Sequence, residues 1–260
     1  MRKYILIIYT LVLTSNLSSQ SLLDYSPVWE SPALSQKFNF FNSNLIISQF
    51  DNNKFGANVS PYRFGLEELN TLRLFYGKNI TNFNLAFGIN AVSNKLYYEI
   101  NPTLSANYKF DKVVLGTQLS YSRMQIQGTG AFNALKIDIA AKLQLDENLS
   151  AAVLLKNLND GKFAGNSQSN KSSTVGICYE IENYFTSADV EIRESFGTGF
   201  IISGGMKLND LLKSKLVYKT YPQSISLDVI YLLQSNQLLS SFSYTEKLGF
   251  SSTIGYAVEF

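Results

Sequence analysis

Acidic and basic residues spaced two apart are the first candidates for chemistry. Asp189, Glu191 and Arg193 alternate along one segment, and Glu180 and Glu182 alternate along the segment before it. Two carboxylates held close together can serve as general acid and general base. The same spacing also fits a charge ladder on neighbouring strands, with Asp and Glu facing Lys and Arg, which is ordinary inside a barrel. The ladder is the preferred reading. Lys213, Lys215 and Lys219 form a basic stripe that either pairs with those acids or steers anions through a pore. Gly197-x-Gly199 and Gly204-Gly205 are dismissed as phosphate loops because no helix follows them. The chain has no histidine, which removes Ser-His-Asp and Cys-His catalysis and any imidazole ligand. Its one cysteine, Cys178, allows no internal disulfide and no thiolate cluster, and reads as a buried thiol. No catalytic residue, metal or cofactor is expected.

The elements carrying these residues read as strands. Leu135, Ile137, Ile139, Ala141, Leu143 and Leu145 alternate with Lys136, Asp138, Ala140, Lys142 and Gln144. Val175, Ile177, Tyr179 and Ile181 alternate with Thr174, Gly176, Cys178, Glu180 and Glu182. Phe83 to Asn90, Ile225 to Leu233 and Phe250 to Phe260 repeat the pattern, and period two is the mark of a strand with unlike faces. Only Gly65–Asn70 could form a helical turn. Charged residues keep to the polar face: Arg73, Lys109, Lys136, Asp138, Lys142, Lys156, Glu180, Asp189, Glu191, Arg193, Lys213, Lys215 and Asp228.

Composition agrees. Of 260 residues only 16% are charged, against roughly 25% in ordinary soluble domains. Aromatics make up 13%, with 18 Phe and 16 Tyr. A net charge of +2 gives no reason to expect nucleic acid. The mean hydropathy of -0.01 is far from that of a bundle of membrane helices. Arg2 and Lys3, the apolar run Tyr4–Leu13 and the small polar stretch Thr14–Gln20 form a signal-peptide pattern over residues 1–20, cut near Ser19. Residues 21–42, with Pro27, Trp29 and Pro32, do not alternate and are read as a periplasmic lead or a lumenal plug. Residues 43–260 are read as the barrel.

Strands that cross a bilayer need about 9–11 residues and must close, because every backbone amide in lipid has to be paired. Short turns are expected at Asp51–Asn53, Asn79–Asn82, Asp111–Lys112, Asp146–Asn148, Glu182–Asn183, Asn209–Asp210 and Gln234–Asn236, where Asn and Asp tolerate tight turns. Longer links are expected at Pro61–Leu69, Ser93–Tyr98, Gln127–Phe132, Asn157–Lys171, Glu194–Gly199, Thr220–Gln223 and Thr245–Gly249. Short turns on one rim and longer loops on the other are the habit of outer-membrane barrels. The fold class is therefore all-β, an antiparallel transmembrane β-barrel exported to the bacterial outer membrane. About fifteen segments alternate, beginning near Asn44–Phe50. Bacterial barrels have even counts, so about fourteen strands are expected, with sixteen the other value. Tyr256, Val258 and Phe260, on the apolar face of the last strand, are candidates for a barrel-assembly signal. A soluble β-sandwich also alternates, but it suits the low charge, few prolines and alternating links less well.

Four short motifs bear a family resemblance. They are Ser31-Pro32-Ala33-Leu34, Ile126-Gln127-Gly128, the run Leu154–Gly161, and Glu246-Lys247-Leu248-Gly249 before the last strand. In these the chain resembles the outer-membrane long-chain fatty-acid transporter (FadL) superfamily, and looks closest to its PorV/PorQ branch, which serves type IX secretion in Bacteroidetes. The sequence departs from the pattern at Ser31, where Asn is usual, and at Asn159, where Gly is usual. The chain is also short for the family. The resemblance implies a monomeric barrel of about fourteen strands with an N-terminal segment in its lumen, and no catalytic residues. It implies outer-membrane lipid around the wall. The further implication is either a secretion-system or secreted-protein partner, the reading put first, or uptake of a hydrophobic or small solute.

Overall fold

A computed structural model describes residues 31–34, 44–64, 69–163, 171–194, 197–246 and 248–260. The signal segment 1–20, the Gly65–Asn70 turn between positions 65 and 68, and much of the 21–42 lead lie outside these residues. Fourteen strands follow one another: β1 (Lys54–Tyr62), β2 (Asn70–Ile80), β3 (Phe83–Ser93), β4 (Tyr97–Phe110), β5 (Val113–Ile126), β6 (Gly130–Gln144), β7 (Leu149–Lys156), β8 (Ser172–Ile181), β9 (Tyr184–Arg193), β10 (Gly197–Asn209), β11 (Leu212–Thr220), β12 (Gln223–Leu233), β13 (Asn236–Thr245) and β14 (Gly249–Glu259). Each pairs antiparallel with its chain neighbours, and β1 pairs with β14, so the sheet is a closed barrel. The all-β fourteen-stranded barrel expected from the sequence is the fold observed. Among the described residues no helix is long and apolar enough to cross a membrane.

The pleat sorts the side chains. Leu104, Leu115, Val175, Ile177, Phe200, Ile202, Leu216, Phe242 and Ile254 point out and stay 50% or more exposed. Asn58, Thr103, Ser105, Asn107, Asp138, Ser187, Asp189, Lys215 and Asp228 point in and are buried. A polar interior inside an apolar shell is the reverse of a water-soluble protein. It matches a wall whose outer face meets hydrocarbon.

Two expectations need correction. Asn44–Phe50 is not a strand. It runs as turn and irregular chain with Leu45, Ile46, Ile47 and Phe50 buried, and the wall begins at Lys54. Its apolar residues adjoin rather than alternate, because the segment is enclosed by the wall instead of forming it. The supposed Asp51–Asn53 turn therefore joins this segment to β1 rather than two strands. The Thr220–Gln223 link is also short: only Tyr221 and Pro222 lie between β11 and β12, since β12 already starts at Gln223. The rim carrying the chain's entry and exit has two-residue turns such as Thr81-Asn82, Asp111-Lys112 and Glu182-Asn183. The opposite rim carries the longest link, 157–171, between β7 and β8.

Candidate functional site

The barrel interior has three zones, each set by which residues take the inward positions. At the short-turn end the inward positions are small. Gly77, Gly88, Gly116 and Gly176 face the N-terminal segment, and a Cβ on Gly116 would collide with the Ile46 carbonyl. That space is filled by Ala33, Leu34, Leu45 and Phe50, packed with Phe75, Phe185, Ile230 and Leu239. The wall's polar groups tie the segment's backbone down. Asn107 Nδ2 donates to the Ser48 carbonyl (2.8 Å), Ser150 Oγ to the Ala33 carbonyl (2.5 Å) and Lys142 Nζ to the Leu34 carbonyl (2.6 Å). The Phe50 amide donates to Asn84 Oδ1 (3.1 Å), and Ser31 Oγ to Asp189 Oδ1 (2.7 Å). These bonds satisfy backbone groups that could find no partner in an apolar plug.

The middle zone is a polar belt. Lys215 Nζ lies 2.8 Å from Asp228 Oδ2, and toward the long-loop end Arg193 Nη2 lies 2.9 Å from Glu191 Oε2. Asp138 accepts from the Asn157 amide (2.7 Å) and from Gln118 Nε2 (3.1 Å). Ser60 and Thr253 hydroxyls meet at 2.6 Å across the closing β1–β14 seam, whose other end, at the short-turn rim, has Lys54 paired with Glu259 at 3.3 Å.

The third zone lies at the long-loop mouth and depends on unequal strand lengths. β6 has 15 residues and β7 only 8, so β7 pairs with β6 only from Ile139 to Gln144. Above that, the β6 edge would lack a partner. Asn159 supplies one: its side-chain Oδ1 accepts from the Ile137 amide and its Nδ2 donates to the Leu135 carbonyl, each at 2.8 Å. The Leu158 amide adds a bond to the Ile137 carbonyl, also at 2.8 Å. The amide side chain thus stands in for one peptide unit and covers an exposed edge. The chain then turns at Asp160 and Gly161 and inserts Phe163 over the inward face of β5 and β6. There Phe163 packs with Met124 and Ala134, flanked by Tyr97, Ile126 and Phe132, and Lys136 Nζ sits 5.4 Å from its ring centroid.

No family model matches the sequence, and no curated protein matches it. Solved structures do match. The toluene transporter TodX of Pseudomonas putida is similar at a TM-score of 0.62 and 11% identity, over 85% of this chain and 95% of that chain. The TodX deltaS2S3 mutant, a monoaromatic hydrocarbon channel, is similar at 0.57 and 12% identity, over 82% of this chain and 91% of that one. At such identity the likeness is one of fold.

The charged residues singled out by spacing fall on several strands. Arg73 is half-buried on β2, with its guanidinium 5.9 Å from the Phe75 ring centroid. Lys136, Asp138 and Lys142 follow one another along β6, and Glu180 on β8 accepts from the Cys178 thiol at 3.5 Å. Asp189, Glu191 and Arg193 line β9, while Lys213 and Lys215 lie on β11, and Lys215 meets Asp228 of β12. Of these acids, Glu191 is occupied by Arg193 and Asp189 accepts from Ser31. Among the described residues no group of three or more Cys, Asp or Glu is placed to hold a metal. Tyr256, Val258 and Phe260 lie on the outward face of the last strand and its end, and the Phe260 amide donates to the Asn53 carbonyl at 2.9 Å. Spacing missed Glu99, wholly buried with Tyr97 as its hydrogen-bond donor, and Arg63, whose Nη1 donates to Thr71 at 3.0 Å. It also missed Phe163 and Asn159, which sit in a loop with no period to read.

Proposed function

We propose that this chain is a non-enzymatic channel of the bacterial outer membrane, exported by a cleaved signal peptide, that admits small hydrophobic molecules. The apolar cluster of Tyr97, Met124, Ile126, Phe132, Ala134 and Phe163 carries this reading, because it faces inward at the long-loop mouth, with Lys136 beside it. An apolar surface at the entrance, with a few polar neighbours, suits an uncharged solute. The fold likeness to TodX, a toluene transporter, supports the same reading and favours it over the secretion role that the sequence motifs put first. Uptake of radiolabelled toluene by cells expressing the full chain, against cells lacking it, tests the proposal. Phe163→Ser should cut the gain about tenfold, equal to about 1.4 kcal/mol of lost contact. Uptake no faster than in cells lacking the chain would overturn it.

A PorV/PorQ-like role in type IX secretion or surface attachment is the other reading. It draws on the short motifs and on an interior occupied by the chain's own residues 31–34 and 44–50. A stoichiometric protein partner co-purifying from the native outer membrane would favour it, and a barrel carrying only lipid or a hydrophobic ligand would count against it.

A further inference from the structure

From the outer face of β5 we infer that the barrel carries a docking site for the phosphorylated headgroup of the outer-leaflet glycolipid. The wall keeps its charges inside. Every Asp and Glu of the described strands faces inward, and of their Lys and Arg residues only Lys78 and Arg123 face outward. Arg123 is exposed and stands between the inward side chains of Ser122 and Met124, which are buried. The register sets Ile100 of β4 and Asn133 of β6 directly beside it. Tyr121 and Gln125 are its neighbours along the outward face of β5. None of these four side chains carries a charge that could balance it.

A cation on the lipid face is costly at mid-bilayer and nearly free of cost at the interface. Arg123 lies three residues from Ile126, where β5 ends at the long-loop rim. That is about 10 Å along a strand, and less in depth because strands of such barrels tilt. Tyr98, opposite Gln125, and Tyr121 flank this level on the outside of the wall. Outward aromatic girdles sit where bilayer meets water. Longer loops face the cell exterior in outer-membrane barrels. The headgroups at this level therefore belong to the outer leaflet, whose glycolipid bears phosphate on its sugars. A guanidinium fork matches two phosphate oxygens at once. A second observation points to the same place. The Tyr121 hydroxyl donates to Asn133 Oδ1 at 2.8 Å, so Nδ2 is the end of that amide left to donate beside Arg123. The exposed amide of Gln125 flanks the guanidinium along its own strand. One cation between two amides suits a phosphate carried on a sugar. Lys78 differs: it lies at the short-turn rim, with Leu85 opposite. The inference rests on the outer-membrane reading of the barrel and needs no particular cargo.

Native mass spectrometry of the refolded full chain in detergent, titrated with diphosphoryl lipid A, tests the site. One lipid A should bind per barrel, in preference to phosphatidylglycerol. Arg123→Gln should weaken it about tenfold or more, as loss of a charge-assisted contact does. Arg123→Lys should weaken it less, since the charge stays and only the fork is lost. Lys78→Gln should leave it unchanged. The inference is overturned if lipid A binds no more tightly than phosphatidylglycerol, if an Arg123→Gln chain of parental folded gel mobility binds as the parent does, or if Lys78→Gln loses as much. Insertion of the parent chain into phosphatidylcholine vesicles separates this site from the reading beneath it. A barrel that inserts there yet shows no preference for lipid A sinks the site alone, and one that enters no vesicle sinks the outer-membrane reading as well.

Discussion

Lys215 and Asp228 stand directly opposite one another on β11 and β12, Nζ to Oδ2 at 2.8 Å, with side chains 1% and 0% exposed. Ser241 Oγ on β13 donates to the other Asp228 oxygen at 2.5 Å, so the carboxylate is held from both sides. Removing one member of a buried pair strands the other charge. Asp228→Asn should therefore cost about 3–5 kcal/mol, while Lys215→Met with Asp228→Leu should recover most of it. Urea unfolding of the barrel in lipid vesicles reads both. An Asp228→Asn chain as stable as the parent would mean that water reaches this part of the lumen.

Gly116 is the place where the wall comes closest to the enclosed segment. A side chain there meets the Ile46 carbonyl, which belongs to backbone and cannot swing aside. We expect Gly116→Val to push residues 44–50 out of the lumen without opening the sheet. Conductance across a planar bilayer should then rise above that of the parent chain. Equal conductance, with heat-modifiable gel mobility retained, would show that this segment is not what obstructs the barrel.

Leu216 lies midway along β11 with half of its surface on the outside of the wall. Leu216→Lys should destabilise the barrel by about 2–4 kcal/mol in a bilayer if that position lies near the midplane. Its inward neighbour Lys215 carries the same charge on the opposite face without such a cost, because it has a partner. A change smaller than about 0.5 kcal/mol, the usual scale for an exposed site in water, would argue that this face does not touch lipid.

Tyr256, Val258 and Phe260 share the outward face at the chain's end. Phe260→Ser together with Tyr256→Ser should lower the amount of folded barrel recovered from outer membranes, while refolding of the purified variant in detergent stays near that of the parent. If yield in cells does not fall, the terminal residues are not read during assembly.

Much of the wall could be read from period two, because most inward positions of β6, β8 and β14 are polar or small and most outward ones apolar. The reading failed where inward positions are themselves apolar. Val217 sits inside between outward Leu216 and Tyr218, and Leu154 inside between Val153 and Leu155. In such runs both faces are greasy and the period vanishes. Asn44–Phe50 misled for a related reason: an apolar stretch before the wall looks like a strand, yet its partners are glycines and amides from β2 to β5 that are distant in sequence. The candidate site was less legible still. The charges could be placed on a face, but their pairing depends on register, and the mouth depends on Phe163 and Asn159. The one position where a glycine was expected, Asn159, proved to be the residue that completes the β6 edge.

Closure joins Lys54 to Glu259 and Phe55 to Val258, residues almost a full chain apart. The final row of backbone bonds therefore cannot form until β14 has been made. Until then β1 must wait with one edge bare, and contacts this remote in sequence are slow to find one another. A bare edge invites pairing with any passing strand. A truncation that spares thirteen of the fourteen strands is therefore expected to yield an aggregate instead of a slightly smaller barrel.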